Sequence, residues 1–273
     1  MIRLFRRACA ALLLALTLPA LAAGSAPPCP RIVSQSPYLT VALDWLGRGH
    51  CIVGVSRYDR RTDLPRTGGV MDPDFAAVAA LKPDLFVTSN WTDAAALELA
   101  MPAGARVLRV DGFRSLADAE AMLLELARAS GVSGAQARIA AFHREWQARA
   151  RAVGGKGRRA LVLSACGRSP YSFGREHFIA DAFAQAGFEI VESAPRIRHM
   201  RAGEELPTIR SAVDRFKPDV VFSLDRVNAE QCNAELGLLP VRLVTLTGEH
   251  FFHPGPGVLD GYVELAAKMK MDK

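Results

Sequence analysis

Three sets of residues in this chain carry types and spacings that could do chemistry. Glu249, His250 and His253 follow directly on an apolar run and bring one carboxylate and two imidazoles together. Such a group could hold a metal ion weakly, touch a metal that is already chelated, or serve a metal-assisted hydrolase. A second set is aromatic: Tyr38, Tyr58, Trp91 and Tyr171, with Pro37 and Asn90 beside them, each just past a short apolar run. Rings in such places suit a large flat or greasy ligand. The third set is Cys29, Cys51, Cys166 and Cys232, an even number with no CxxC spacing, which speaks for disulfides rather than a zinc ribbon.

Other chemistries are poorly provided for. The nearest approach to a nucleophile elbow, Gly54-Val55-Ser56-Arg57-Tyr58, lacks the glycine two residues past the serine. Gly167-Arg168-Ser169 is far from a phosphate-binding loop, and no block of basic residues interleaved with aromatics suggests nucleic acid. His50 and His143 lie in or beside helical stretches and read as solvated or packed.

The elements that must position these residues repeat. AVAALKPDLFV at 77–87 and AVDRFKPDVVF at 212–222 share a helix end, Lys-Pro-Asp and an apolar strand. ARVLRVDG at 105–112 and VRLVTLTG at 241–248 recur at nearly the same offset, as do CIVGVS at 51–56 and FEIVES at 188–193. Segments matching in order and spacing imply two lobes of like topology. Strands are predicted near 31–35, 52–56, 85–89 and 106–110, then near 160–165, 188–192, 219–224 and 241–246. Helices lie between them, including one near 229–236. This is an α/β fold of two Rossmann-like lobes with parallel sheets. The stretch 131–155 reads as a single long helix joining a first lobe at 29–130 to a second at 156–273. Ligands bind beyond the carboxyl ends of such strands, which places the site in the cleft between lobes. Ser36 to Tyr38, Arg57-Tyr58, Ser89 to Trp91 and Asp111 to Phe113 would line one wall. Gly167 to Phe173, Arg196 to Met200, Asp225-Arg226 and Gly248 to His253, Phe251 included, would line the other.

Residues 1–22 read as a cleaved signal peptide: Arg3, Arg6 and Arg7, the apolar run 8–20, then Ala20-Leu21-Ala22. The run is about half the ~20 residues a membrane span needs. The formal charge of +6 loses three of its positives with that segment. A soluble, exported, monomeric protein is expected. In its oxidising compartment Cys29, just before the first strand, and Cys51, at the start of the second, would sit at one edge of a parallel sheet within bonding distance. Cys166 and Cys232 lie at the cleft edge of the other sheet, where a bond is feasible and two buried thiols are the alternative.

Taken in order, Arg31 to Pro37, Val53-Gly-Val-Ser56-x-Tyr58, Ala80 to Leu85, Phe178 to Gly187 and His253-Pro-Gly-Pro-Gly257 resemble the vitamin B12 and ferric-siderophore solute-binding proteins of bacterial ABC importers. The resemblance covers essentially the whole mature chain. It implies a non-catalytic periplasmic protein, with no cofactor of its own, that hands a metal chelate to a permease and ATPase complex. Cobalamin is expected ahead of ferric siderophore and haem. It also implies that Tyr58, Trp91 and Tyr171 flank the ligand and that Glu249 hydrogen-bonds its periphery. His199-Met200 stands where B12 binders have a tryptophan. Tyr58, His199 or His250 would be axial ligands if the cargo were haem. Asp93 or Glu98 in one lobe, and Glu204 or Glu205 in the other, would dock on the permease. The bare-metal branch of this fold takes histidines from both lobes, and none ends a strand in the first, so no naked metal ion is expected.

Overall fold

The computed structural model describes residues 29–166, 169–225 and 233–270. The expected signal peptide, Cys232 and Arg226 lie outside them. The first lobe is a four-stranded parallel sheet in the order β2-β1-β3-β4, with β1 Ile32–Ser34, β2 Ile52–Val55, β3 Leu85–Ser89 and β4 Arg106–Val110. β1 and β3 are buried at every position, as strands covered by helices on both faces must be, whereas the edge strand β4 is exposed at three of its five positions. Helices α1 (Pro37–Trp45), α2 (Phe75–Ala80), α3 (Ala94–Ala100) and α4 (Leu116–Ala129) cover the faces. Pro37 starts α1, where a missing N–H costs nothing, and the side chains of Asp74, Asp93 and Ser115 cap the next three.

The connecting helix is α5, Ala135–Val153, bounded by Gly134 and Gly154 in left-handed conformations at φ +67° and +66°. Beyond it come β5 (Arg159–Ser164), β6 (Tyr171–Phe173), α6 (Phe178–Gln185), β7 (Glu189–Ile190), β8 (Ile197–His199), α7 (Ile209–Phe216), β9 (Val220–Asp225), β10 (Arg242–Thr247) and α8 (Val258–Lys270). The second sheet runs β10-β9-β5-β6-β8, with β7 beside β5. Two features depart from the sequence reading. β6 and β8 are extra strands, antiparallel to their neighbours, so the second sheet is mixed. The described part of the helix expected near 229–236 is a 3-10 turn, Ala234–Leu238.

The Lys-Pro-Asp repeat builds the same knot in both lobes. Lys82 and Lys217 end their helices at φ +46°. The Asp84 carboxylate accepts from the Arg31 amide at 2.8 Å, and Asp219 accepts from the Arg159 amide at 2.8 Å. The Arg31 guanidinium donates to the Leu81 and Lys82 carbonyls, and that of Arg159 to Phe216 and Lys217. Each knot ties a strand start to the helix end preceding a neighbouring strand. Cys29 and Cys51 are bonded across β1 and β2, with Cα atoms 5.9 Å apart.

Each lobe has a core of its own on its outer face, Val33, Val78, Phe86 and Leu97 in the first and Leu161, Ile209, Val213 and Val221 among others in the second. The largest core spans both lobes, running from Leu39 and Leu126 through Phe142 and Trp146 of α5 to Phe183, Phe251 and Tyr262. Two hydrogen bonds pin the junction: the Phe178 amide donates to the Phe113 carbonyl at 2.6 Å, and the Leu116 amide to Asp181 Oδ2 at 2.7 Å. A shared core and a helix start capped from the opposite lobe leave room for small relative movements only. Among the described residues no helix is long and apolar enough to cross a membrane.

Candidate functional site

The carboxyl ends of both sheets face a cleft of about 750 Å³. The first lobe contributes Ser36 and Tyr38 at the start of α1, Asn90 and Trp91 after β3, and Asp111, Phe113 and Arg114 after β4. From the second come Tyr171 and Phe173 on β6, Glu176 and His177 ahead of α6, Arg196 and Ile197 at β8, and Phe252 and His253 after β10.

Aromatic contacts run along the whole lining. Trp91 stacks on Phe113 with centroids 5.2 Å apart and planes 20° apart; Tyr38 meets Phe113 edge-on at 5.1 Å. Across the lobes Tyr38 stacks on His253 at 6.0 Å. On the far wall Tyr171 and Phe173 lie 5.4 Å apart, and Phe173 touches Phe252 at 6.4 Å. Trp91 is 59% exposed, a large apolar surface held open toward the cleft.

Polar groups punctuate this surface. Tyr38 is buried, and burial with the nearby Asp111 carboxylate pushes its phenol well above the ordinary range, so it stays protonated. The neighbouring Ser89 side chain acts in the opposite direction, but more weakly. Arg114 lies 4.0 Å from Asp111 and 3.4 Å from Asp118. The His177 ring caps α6, with Nδ1 accepting from the Ile179 amide at 3.1 Å. Burial lowers its pKa to about 4, so the imidazole is neutral at physiological pH. At the end of β9, desolvation raises the Asp225 pKa although Ser223 donates to it; Cys166 Sγ lies 3.0 Å from the same oxygen.

Of the residues read from sequence, Tyr38, Asn90, Trp91 and Tyr171 line the cleft, and Pro37 begins the helix that carries Tyr38. His199 pairs with Tyr171 across the β6–β8 ladder, its ring 5.9 Å away, but is exposed outside the lining. Tyr58 is also outside, 68% exposed under the Arg57 guanidinium. Phe251 is a correction: it is fully buried against Phe183, because the turn after β10 points this ring into the shared core. The Glu249, His250 and His253 group also comes apart. Glu249 reaches Arg60 of the other lobe at 3.5 Å, His250 Nδ1 pairs with Glu264 at 3.1 Å, and only His253 lines the cleft. The short 3-10 turn Gly248–His250 sends consecutive side chains in different directions. Among the described residues the one group of three potential metal ligands is Cys29, His50 and Cys51, whose sulfurs are joined to each other.

The acidic residues considered for docking are all exposed. Asp93 caps α3, Glu204 pairs with Arg201, and Glu205 pairs with Arg198, which also holds the buried Glu192. Glu98 stands on the outer surface of α3. Cys166 is disulfide-bonded, and its expected partner Cys232 lies outside the described residues. Sequence reading missed Arg114, Glu176 and His177. Arg114 follows the expected Asp111 to Phe113 segment by one residue. His177 carried no signal, since histidine is an unusual helix cap and its burial is tertiary.

A family model described as periplasmic binding protein matches residues 36–235. No curated protein matches the sequence. Among solved structures, the chain is similar to a periplasmic haem binding protein from Pseudomonas aeruginosa, at 20% identity and TM-score 0.70, covering 90% of this chain and 94% of that one. It is similar also to the periplasmic vitamin B12 binding protein of Vibrio cholerae, at 17% identity and TM-score 0.71, covering 89% and 98%. A periplasmic haem binding protein of the same organism matches at 16% identity and TM-score 0.72, covering 88% and 98%.

Proposed function

The chain belongs to the periplasmic binding protein family, and on that premise we propose that it captures a metal chelate in the interlobe cleft and delivers it to an ABC importer. The observation that carries this reading is the aromatic lining, continuous from Trp91 through Phe113, Tyr38 and His253 and taken up on the far wall by Phe252, Phe173 and Tyr171. Such a surface binds flat rings by area and stacking, each ring contributing about 1 kcal/mol beyond its burial. The named ligands of the similar structures, haem and vitamin B12, are tetrapyrrole chelates.

We place cobalamin first, haem next and ferric siderophore after them. The cleft's half-buried histidine, His177, has Nδ1 engaged in capping α6, so Nε2 carries the proton and offers no lone pair to a haem iron. A corrinoid brings its own metal ligands and needs only shape and hydrogen bonds. The protein is read as carrying its ligand unchanged, periplasmic and monomeric, with Glu98 and Glu204 docking on a cationic permease surface. Glu98→Lys with Glu204→Lys should abolish uptake yet leave ligand affinity intact; uptake at the normal rate removes these two from the docking role.

The decisive experiment is fluorescence titration of the purified protein with cyanocobalamin, haem and a ferric hydroxamate, read beside the absorption spectrum of protein from its native host. Saturable one-to-one binding of one of them is expected. Absence of binding to all three overturns the reading.

A further inference from the structure

His177 stands where the two lobes meet. Its neighbour Phe178 donates its amide to Phe113 of the first lobe at 2.6 Å, and Asp181, one turn on, accepts from Leu116 at 2.7 Å. The imidazole is therefore fixed relative to both walls of the cleft. One ring face packs near Phe173, centroids 5.0 Å apart. One nitrogen is already used: Nδ1 accepts from the Ile179 amide, so the neutral ring carries its proton on Nε2. Nε2 itself makes no hydrogen bond within the described residues, although the ring lines the cleft and is half-buried. A partly desolvated donor with no partner is a cost that a bound acceptor relieves.

We propose that His177 is a specificity residue of the cleft, donating Nε2–H to an acceptor oxygen on the rim of the bound chelate and leaving the metal untouched. This rests on the chelate reading above. Ligation of a metal would need the Nε2 lone pair, which moves the proton to Nδ1. Nδ1–H would then confront the Ile179 N–H, and the cap of α6 would be lost. The opposite reading, in which His177 is an axial ligand, thus has to break a helix start that the fold uses to join its lobes. The charges sharing the cleft, Asp111 and Glu176 against Arg114 and Arg196, balance in number. The site therefore selects an acceptor oxygen rather than a net charge, and a carboxylate and an amide carbonyl both supply one.

The test uses His177→Asn, whose side-chain oxygen keeps the cap while its amide ends short of the ring's far edge, and His177→Ser, another good cap. Wild type and both variants are titrated with haem, haem dimethyl ester and cyanocobalamin. The ester and the corrinoid separate a carboxylate acceptor from an amide one. Whichever chelate the wild type binds should bind each variant about tenfold more weakly, with the absorption spectrum of the bound metal unchanged. Affinity equal to wild type in both variants overturns the proposal, as does a shifted metal spectrum, which would make His177 a ligand. If the wild type binds none of the probes, the chelate reading falls and this proposal falls with it. If it binds and the variants match it, this proposal alone falls.

Discussion

At their bases the two lobes are copies; at the cleft they are not. The Arg31, Lys82 and Asp84 knot recurs in Arg159, Lys217 and Asp219 with the same left-handed lysine and the same 2.8 Å amide-to-carboxylate bond. The cleft ends diverge in kind. The first lobe presents rings from short loops after parallel strands, with Trp91 open to solvent. The second inserts the antiparallel pair β6 and β8, which delivers Tyr171 and Phe173 as part of its sheet. The lesson is that the base answers to local demands of helix ending and strand starting, which any such lobe must meet. The cleft end is free of those demands and holds what distinguishes this site.

The sharpest contrast is between rings on the two walls. Phe173 is almost fully buried, so Phe173→Ala should cost roughly 3–5 kcal/mol of stability as well as affinity. Trp91→Ala should weaken ligand binding by about 1–3 kcal/mol and leave the apo protein's unfolding midpoint nearly unchanged. Urea unfolding and ligand titration of both variants read the difference; equal stability losses would erase it.

The base of the first lobe also carries the Cys29–Cys51 bond. Replacing both cysteines by alanine should lower stability by about 3 kcal/mol and spare affinity, since the bond lies at the edge away from the cleft. A drop in affinity of the same size would show that the strand starts feel the cleft.

A third test concerns acid. Burial depresses the His177 pKa from 6.5 to about 4, so the unfolded chain takes up this proton first. Stability contributed by the neutral ring is complete above about pH 6.5 and is lost as pH falls toward 4, by up to roughly 3 kcal/mol. Denaturant midpoints at pH 7 and pH 4.5 should separate less in His177→Asn than in wild type; identical separations would mean the ring is solvated.

The smallest effect tests the copies themselves. Asp84→Ala and Asp219→Ala each remove one carboxylate bond to an arginine amide and should each cost about 1 kcal/mol. A difference well above that between the two variants would break the equivalence of the knots.

Periodicity and punctuation made most of the fold legible. Pro83 and Pro218 end helices for stereochemical reasons, and continuous apolar runs such as Leu85 to Val87 suit only a sheet covered on both faces. Order and spacing of the repeats then gave two lobes and the edge-sharing of Cys29 and Cys51. The β6 and β8 strands escaped because Tyr171-Ser172-Phe173 and Ile197-Arg198-His199 lie in no apolar run and match no segment of the first lobe. What the chain's own sequence determined is thus the part governed by neighbours: strands, helix ends, lobe order and the loops that follow each strand. Tertiary structure alone decided which side chains of those loops face the cleft. Phe251 turned into the core while Phe252 and His253 did not. His177 became a half-buried, neutral, singly protonated donor only because the first lobe packs against the start of its helix. Side-chain direction at a turn and the burial of a titratable ring depend on residues far away in the chain, and no local pattern encodes them.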